Sequence, residues 1–180
     1  MALGVDYVGQ DCSLARSLEI VGERWTLLVL RNCFFGVRRF SDFQAHLGIS
    51  RAVLTERLTG LVGDGLLERV PAGGREEYVL TEAGLALWPA LFALTQWGEA
   101  TTSPHGPRRV FAHVECGADL EPSGRCPACH EVPGPAELDS RPGPGRTAGP
   151  GNGVAGEALA GRRPLLVPVR DRHPPGNPGR

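Results

Sequence analysis

Residues 40–81 constrain the fold most tightly. Phe40-Ser41-Asp42-Phe43-Gln44-Ala45-His46-Leu47 is amphipathic, Gly48-Ile49-Ser50 reads as a turn, and Arg51-Ala52-Val53-Leu54-Thr55-Glu56-Arg57-Leu58-Thr59-Gly60-Leu61 is amphipathic again. This spells a helix, a turn and a second helix. Gly48 supplies the left-handed residue that ends the first helix, and Ser50 can cap the second by accepting from its free N–H groups. Leu54, Leu58 and Leu61 fall at i, i+4 and i+7 and form a buried stripe. Ala52, Thr55, Glu56 and Thr59 are left pointing outward, and such short side chains let a helix approach base edges in a major groove.

Leu66-Leu67-Glu68-Arg69-Val70 and Glu76-Glu77-Tyr78-Val79-Leu80 read as two strands joined across Pro71-Ala72-Gly73-Gly74-Arg75. A hairpin directly behind the second helix is a wing. An ordinary α+β domain with a surface hairpin is the bland alternative. The order of capped helix, turn, second helix and hairpin favours a duplex-DNA interface. The expected class is therefore mainly α with a small β-hairpin, a winged helix-turn-helix.

Charge supports this. The net charge is −1, yet residues 31–75 hold seven Arg against four acids, whereas residues 1–103 hold nine Arg against twelve acids. Positive charge confined to the motif suits a phosphate backbone. The chain has no Lys, so phosphate contacts fall to Arg, polar side chains and backbone N–H groups. No secretory leader pattern and no membrane-length apolar run is visible. A cytoplasmic protein is expected, whose five Cys are thiols or metal ligands rather than disulfides.

Elsewhere, residues 12–21 form a first helix capped by Asp11 or Ser13, and residues 24–34 form the central core helix. Thr81 caps a long apolar helix that Pro89 should kink. His46 is expected on the surface. Residues 1–103 then make one domain, 104–132 a small Cys/His extension, and 133–180 a tail. That tail has ten Pro and ten Gly in 48 residues, a composition that predicts disorder. Its apolar island, Leu165-Leu166-Val167-Pro168-Val169, is at most a short partner motif.

His113-Val114-Glu115-Cys116 and Cys126-Pro127-Ala128-Cys129 are ligand pairs, each with two intervening residues and nine between the pairs. This spacing suits a tetrahedral structural Zn²⁺, with His130 as a rival fourth ligand and unligated thiols as the alternative. Cys12 stands at a helix N-terminus, where the dipole favours a thiolate. It is read as either a redox-sensing candidate or a small buried residue at the dimer seam. Cys33 is packing.

Cys12-Ser13-Leu14-Ala15-Arg16, Gly22-Glu23-Arg24-Trp25-Thr26-Leu27-Leu28, Arg38-Arg39-Phe40-Ser41-Asp42, Gly48-Ile49-Ser50, Leu54-Thr55-Glu56-Arg57-Leu58, Gly65-Leu66-Leu67-Glu68-Arg69, Glu77-Tyr78-Val79-Leu80-Thr81 and Trp97-Gly98 occur in this order. In these segments, over roughly residues 12–99, the chain resembles the HxlR-type bacterial transcriptional regulators, which are MarR-like. The resemblance implies a homodimer that binds promoter DNA, built by the first and last helices of the domain, here residues 12–21 and 81–97. By position it assigns Ser50, Arg51, Thr55 and Thr59 to the major groove and Arg57 to a phosphate. Arg38, Arg39 and Arg75 would anchor the backbone on either side. It also implies a redox or small-molecule signal through Cys12. Two departures are the short segment between the wing strands and everything after Ser103. The competing classes are a winged-helix module that docks proteins and a Cys-dependent enzyme. The enzyme reading lacks a base near Cys12 in sequence.

Overall fold

The computed structural model describes residues 7, 9–146 and 151–170. Helices α1 (Ser13–Val21) and α2 (Thr26–Phe34) precede α3 (Phe40–Leu47) and α4 (Arg51–Gly63), which are the two motif helices. Gly48 ends α3 with φ +64°, and Ser50 Oγ accepts from the Val53 N–H at 3.3 Å. Leu54, Leu58 and Leu61 are buried against Val29, Leu30, Phe43 and Val37. The sequence pattern of the motif is therefore its packing pattern.

Strands β1 (Leu67–Ala72) and β2 (Arg75–Leu80) pair antiparallel, with Leu67 opposite Leu80 and Ala72 opposite Arg75. The hairpin is longer and its turn tighter than expected. Gly73 and Gly74 alone make the turn, with φ +56° and +78°. Two successive positive φ values are what a two-residue turn needs to match strand twist.

The long apolar helix is two helices, α5 (Glu82–Leu85) and α6 (Trp88–Thr102). The expected kink at Pro89 is corrected: Pro89 lies in the first turn of α6, where its missing N–H breaks no bond. At α1 the expected caps are also absent. Cys12 is the N-cap residue, and no side chain bonds the helix start.

The disorder expected for residues 133–180 does not hold for 133–146 and 151–170, while 147–150 and 171–180 lie outside the described residues. β3 (Arg109–His113), β4 (Leu138–Pro142) and β5 (Arg163–Pro164) form an antiparallel sheet in the order β3-β4-β5. A 3₁₀ turn (Pro135–Glu137) leads into β4, and α7 (Gly153–Ala158) packs on α3. The composition misled because a few apolar anchors enter cores that the helices already provide. Ala155 and Val169 join the motif core. Leu138, Leu159 and Leu165 join a second core with Phe34, Phe35, Trp88, Leu91, Phe92 and Phe111. Trp88 is its hub, with ring centroids 5.1 Å from Phe34, 5.5 Å from Phe111 and 5.8 Å from Phe92. The island at 165–169 is thus core. Its backbone docks on the turn after α2, where Leu166 N–H donates to Phe34 O at 2.7 Å and Val169 N–H to Gly36 O at 2.9 Å. Gly36 is left-handed (φ +81°), and a Cβ there would overlap the Val167 carbonyl.

Candidate nucleic-acid interface and metal cluster

The outward face of α4 carries Ser50, Arg51, Ala52, Thr55, Glu56 and Thr59, all exposed, with the wing beside it. Arg51 lies over the Phe40 ring at 5.2 Å, which props the first turn of α4 on the start of α3. Thr55 Oγ1 donates to the Arg51 carbonyl at 2.9 Å. Arg75 is exposed at the wing tip.

The other three arginines have partners within the chain. Arg57 is half-buried and pairs with Glu56 and, at 3.7 Å, with Glu23. Arg39 Nε donates to Glu77 Oε1 at 2.9 Å, fixing the entry of α3 to the wing. Arg38 donates to the Leu166 carbonyl at 3.3 Å. Of these, the Arg57 pairs reach exposed carboxylates, and such pairs are worth roughly 0–1 kcal/mol, so a phosphate can compete for Arg57.

His113, Cys116, Cys126 and Cys129 meet at one point, with their ligand atoms all within 4.8 Å of one another. Cys116 Sγ is 3.5 Å from His113 Nδ1 and 3.3 Å from Cys126 Sγ, and Cys129 Sγ is 3.2 Å from His113 Nδ1. Zn–S bonds of about 2.3 Å at tetrahedral angles put neighbouring donors about 3.7 Å apart, so the cage is close to the right size. The thiols are free, and 3.3 Å is far beyond a disulfide bond. His130, the rival ligand, lies outside the cluster and instead closes the second knuckle with φ +64°. N–H groups of Cys129 and Ala128 face the Cys126 sulfur and lower its pKa to about 6, favouring the thiolate a metal needs. The cluster is tied to the helices, since Gly124 abuts Phe92 of α6.

Cys12 is exposed at the start of α1. Cys33 is buried, and burial pushes its thiol pKa up. His46 departs from expectation: it is half-buried, and its Nδ1 is enclosed without a hydrogen-bond partner. Sequence reasoning missed it because what encloses it comes from residues more than 60 positions away, among them Arg109, Arg146 and Gly151. Among the described residues, no helix is long and apolar enough to cross a membrane.

The chain matches the family model described as HxlR-like helix-turn-helix over residues 20–106. It is 47% identical over 137 residues to uncharacterised HTH-type transcriptional regulators of Mycobacterium bovis and Mycobacterium tuberculosis, covering 74% of this chain and 87% of each relative. That likeness is longer than the family segment. YdeP of Bacillus subtilis, another HTH-type transcriptional regulator, is 34% identical over 106 residues, covering 54% of this chain and 81% of YdeP. Among solved structures, PA1607, described as a candidate transcription factor, superposes with a TM-score of 0.58 at 37% identity, covering 62% of this chain and 80% of that one. With its motif helices, wing and relatives in agreement, the chain belongs to the HxlR-like helix-turn-helix family of transcriptional regulators, which are not enzymes.

Proposed function

We propose that this regulator binds a specific promoter sequence as a homodimer, laying α4 in the major groove with the wing against the adjacent backbone. The observation that carries the reading is the two-sidedness of α4. Leu54, Leu58 and Leu61 are sealed inside, while Arg51, Thr55 and Thr59 are exposed. Ser50, Arg51, Thr55 and Thr59 read the groove, and Arg38, Arg39, Arg57 and Arg75 hold phosphates. The test is a gel shift of the full chain with DNA from upstream of its own gene across a salt series. Retention that weakens steeply with salt supports the reading. No retention at low salt overturns it in favour of a winged helix that docks proteins.

The second copy is supported by α1. Of its nine residues only Ala15 is buried, and Leu14, Leu18 and Ile20 are exposed. An isolated helix under about 12–15 residues is marginal in water, so α1 needs a partner surface. Leu94 and Trp97 on α6 are exposed as well, Trp97 by 65%. These faces form the seam, and two copies would read two half-sites one helical turn apart. Leu14→Glu with Trp97→Glu should yield a monomer by light scattering.

His113, Cys116, Cys126 and Cys129 hold a structural zinc, because four protein donors leave no position open for chemistry. A redox signal enters at Cys12, which is exposed at the N-terminus of α1. DNA binding unchanged by mild oxidation would leave Cys12 with only a structural role.

A further inference from the structure

Between the helices and the C-terminal extension lies a cleft of about 280 Å³. Its floor is apolar, formed chiefly by the rings of Phe35, Trp88 and Phe111. Four cations line it, Arg31 from α2 and Arg108, Arg109 and Arg146 from the extension, beside the His46 ring from α3. Glu99 is the one acid lining the cleft among the described residues, and it pairs with Arg108 at 3.3 Å.

The other three guanidinium groups meet no carboxylate among the described residues. Arg109 lies 5.0 Å over the Phe35 ring and donates to the Leu159 carbonyl at 2.6 Å. Arg31 lies over the same ring at 5.9 Å and donates to Asn32 Oδ1 at 3.0 Å, while its Nε is enclosed with no partner. The Arg146 guanidinium makes no ion pair or hydrogen bond there. Residues 147–150 are Thr-Ala-Gly-Pro and contain no acid. The crowding shows in the titration of its members. Burial, then Arg146 and Arg31, bring Arg109 down to about 10. Gathering cations on an apolar floor with a single carboxylate among the described residues is costly, because desolvated charges need a partner.

We propose that this cleft binds a small organic acid, its anionic head held by Arg31, Arg109 and Arg146 and its apolar body lying on Phe35, Trp88 and Phe111. The planar guanidinium forks suit a carboxylate or an organic phosphate. The rings disfavour a bare hydrated inorganic anion, and the unpaired cations disfavour a neutral molecule. The volume falls just below the roughly 300–1,000 Å³ of small-molecule sites, which limits the occupant to one or two rings. The cleft also reaches the motif itself. His46 lines it from α3, and Gly151 sits so close that a Cβ there would overlap the His46 ring. As an effector site, the cleft rests on the regulator reading.

The test is isothermal titration of the full chain with benzoate and phenyl phosphate, with benzyl alcohol and inorganic phosphate as controls. One of the two organic anions should bind one-to-one, about tenfold or more tighter than either control. Arg146→Gln should weaken that binding about tenfold or more, and Arg146→Lys less, because the charge stays and only the fork is lost. Matching thermal melts show that both variants fold. If Arg146→Gln melts early, the Lys variant decides. No binding of either organic anion, equal binding of benzyl alcohol, binding of inorganic phosphate alone, or indifference to the variants overturns the proposal. A gel shift on the same samples separates the two readings. DNA retained without anion binding sinks only the acid site, and anion binding without DNA retention sinks only the regulator.

Discussion

Arg170 clasps Asp42 across 128 residues of sequence, Nε to Oδ2 at 2.8 Å and a terminal nitrogen to Oδ1 at 2.6 Å. Asp42 is only 5% exposed, so its carboxylate depends on this fork. The bond closes the last described turn of the extension onto the first motif helix, next to the backbone bonds at Gly36. Arg170→Gln should therefore lower the unfolding free energy by about 1–3 kcal/mol, because a buried charge loses its charged partner. Asp42→Asn with Arg170→Gln should cost less than the sum of the single changes, and chemical denaturation of the four proteins checks that.

The motif was legible in the sequence because its rules are local. Gly48, Ser50 and the leucine stripe each act within a few residues, and every one has the expected role. The metal pairs were legible for the same reason, since each pair is one turn of a knuckle. The extension was not, because Leu138, Leu159, Leu165 and Val169 gain their meaning from cores built by helices far earlier in the chain. The cleft follows from the same long-range closure. No spacing rule could join Arg31 to Arg146 or place His46 beside Gly151.

The face of α4 and the wing tip should separate by kind of loss. Arg51→Ala and Thr55→Ala should weaken binding to the native site by about 1–3 kcal/mol while leaving random DNA nearly unchanged. Arg75→Ala should weaken all sequences alike and reduce the slope of log K against log salt by about one. Arg57→Ala should have the smaller salt effect, because Glu23 and Glu56 already share that charge. Titrations of specific and random duplexes at three salt concentrations distinguish these outcomes. An Arg51→Ala protein that binds both duplexes as wild type does would remove α4 from the groove.

Freshly isolated protein should carry about one zinc per chain by metal analysis, and Cys126→Ser should lose it. The loss should also lower the melting temperature of the whole chain, because Gly124 lies on Phe92 and Phe92 on Phe111 and Trp88. A strong chelator should reproduce that drop in wild type and leave Cys126→Ser unmoved. Wild type free of zinc on isolation ends the structural-metal reading.

His46 should make the fold sensitive to mild acid. Burial first, then Arg31, Arg109 and Arg146, lower its pKa from 6.5 to about 4. The groups facing it are all cations, and Glu99, the nearby acid, is engaged by Arg108. The folded chain thus refuses a proton that the unfolded chain accepts below pH 6.5, so stability falls as pH drops from 6.5 towards 4. Replacing the ring by a side chain that does not titrate, His46→Gln, should flatten that part of the profile while the carboxylates and the Cys/His cluster contribute equally to both proteins. Thermal melts of wild type and His46→Gln at pH 7.5, 6 and 5 give the comparison. The gap between them should shift in favour of the variant as pH falls, and a gap constant with pH would mean that His46 takes up its proton freely in the folded chain.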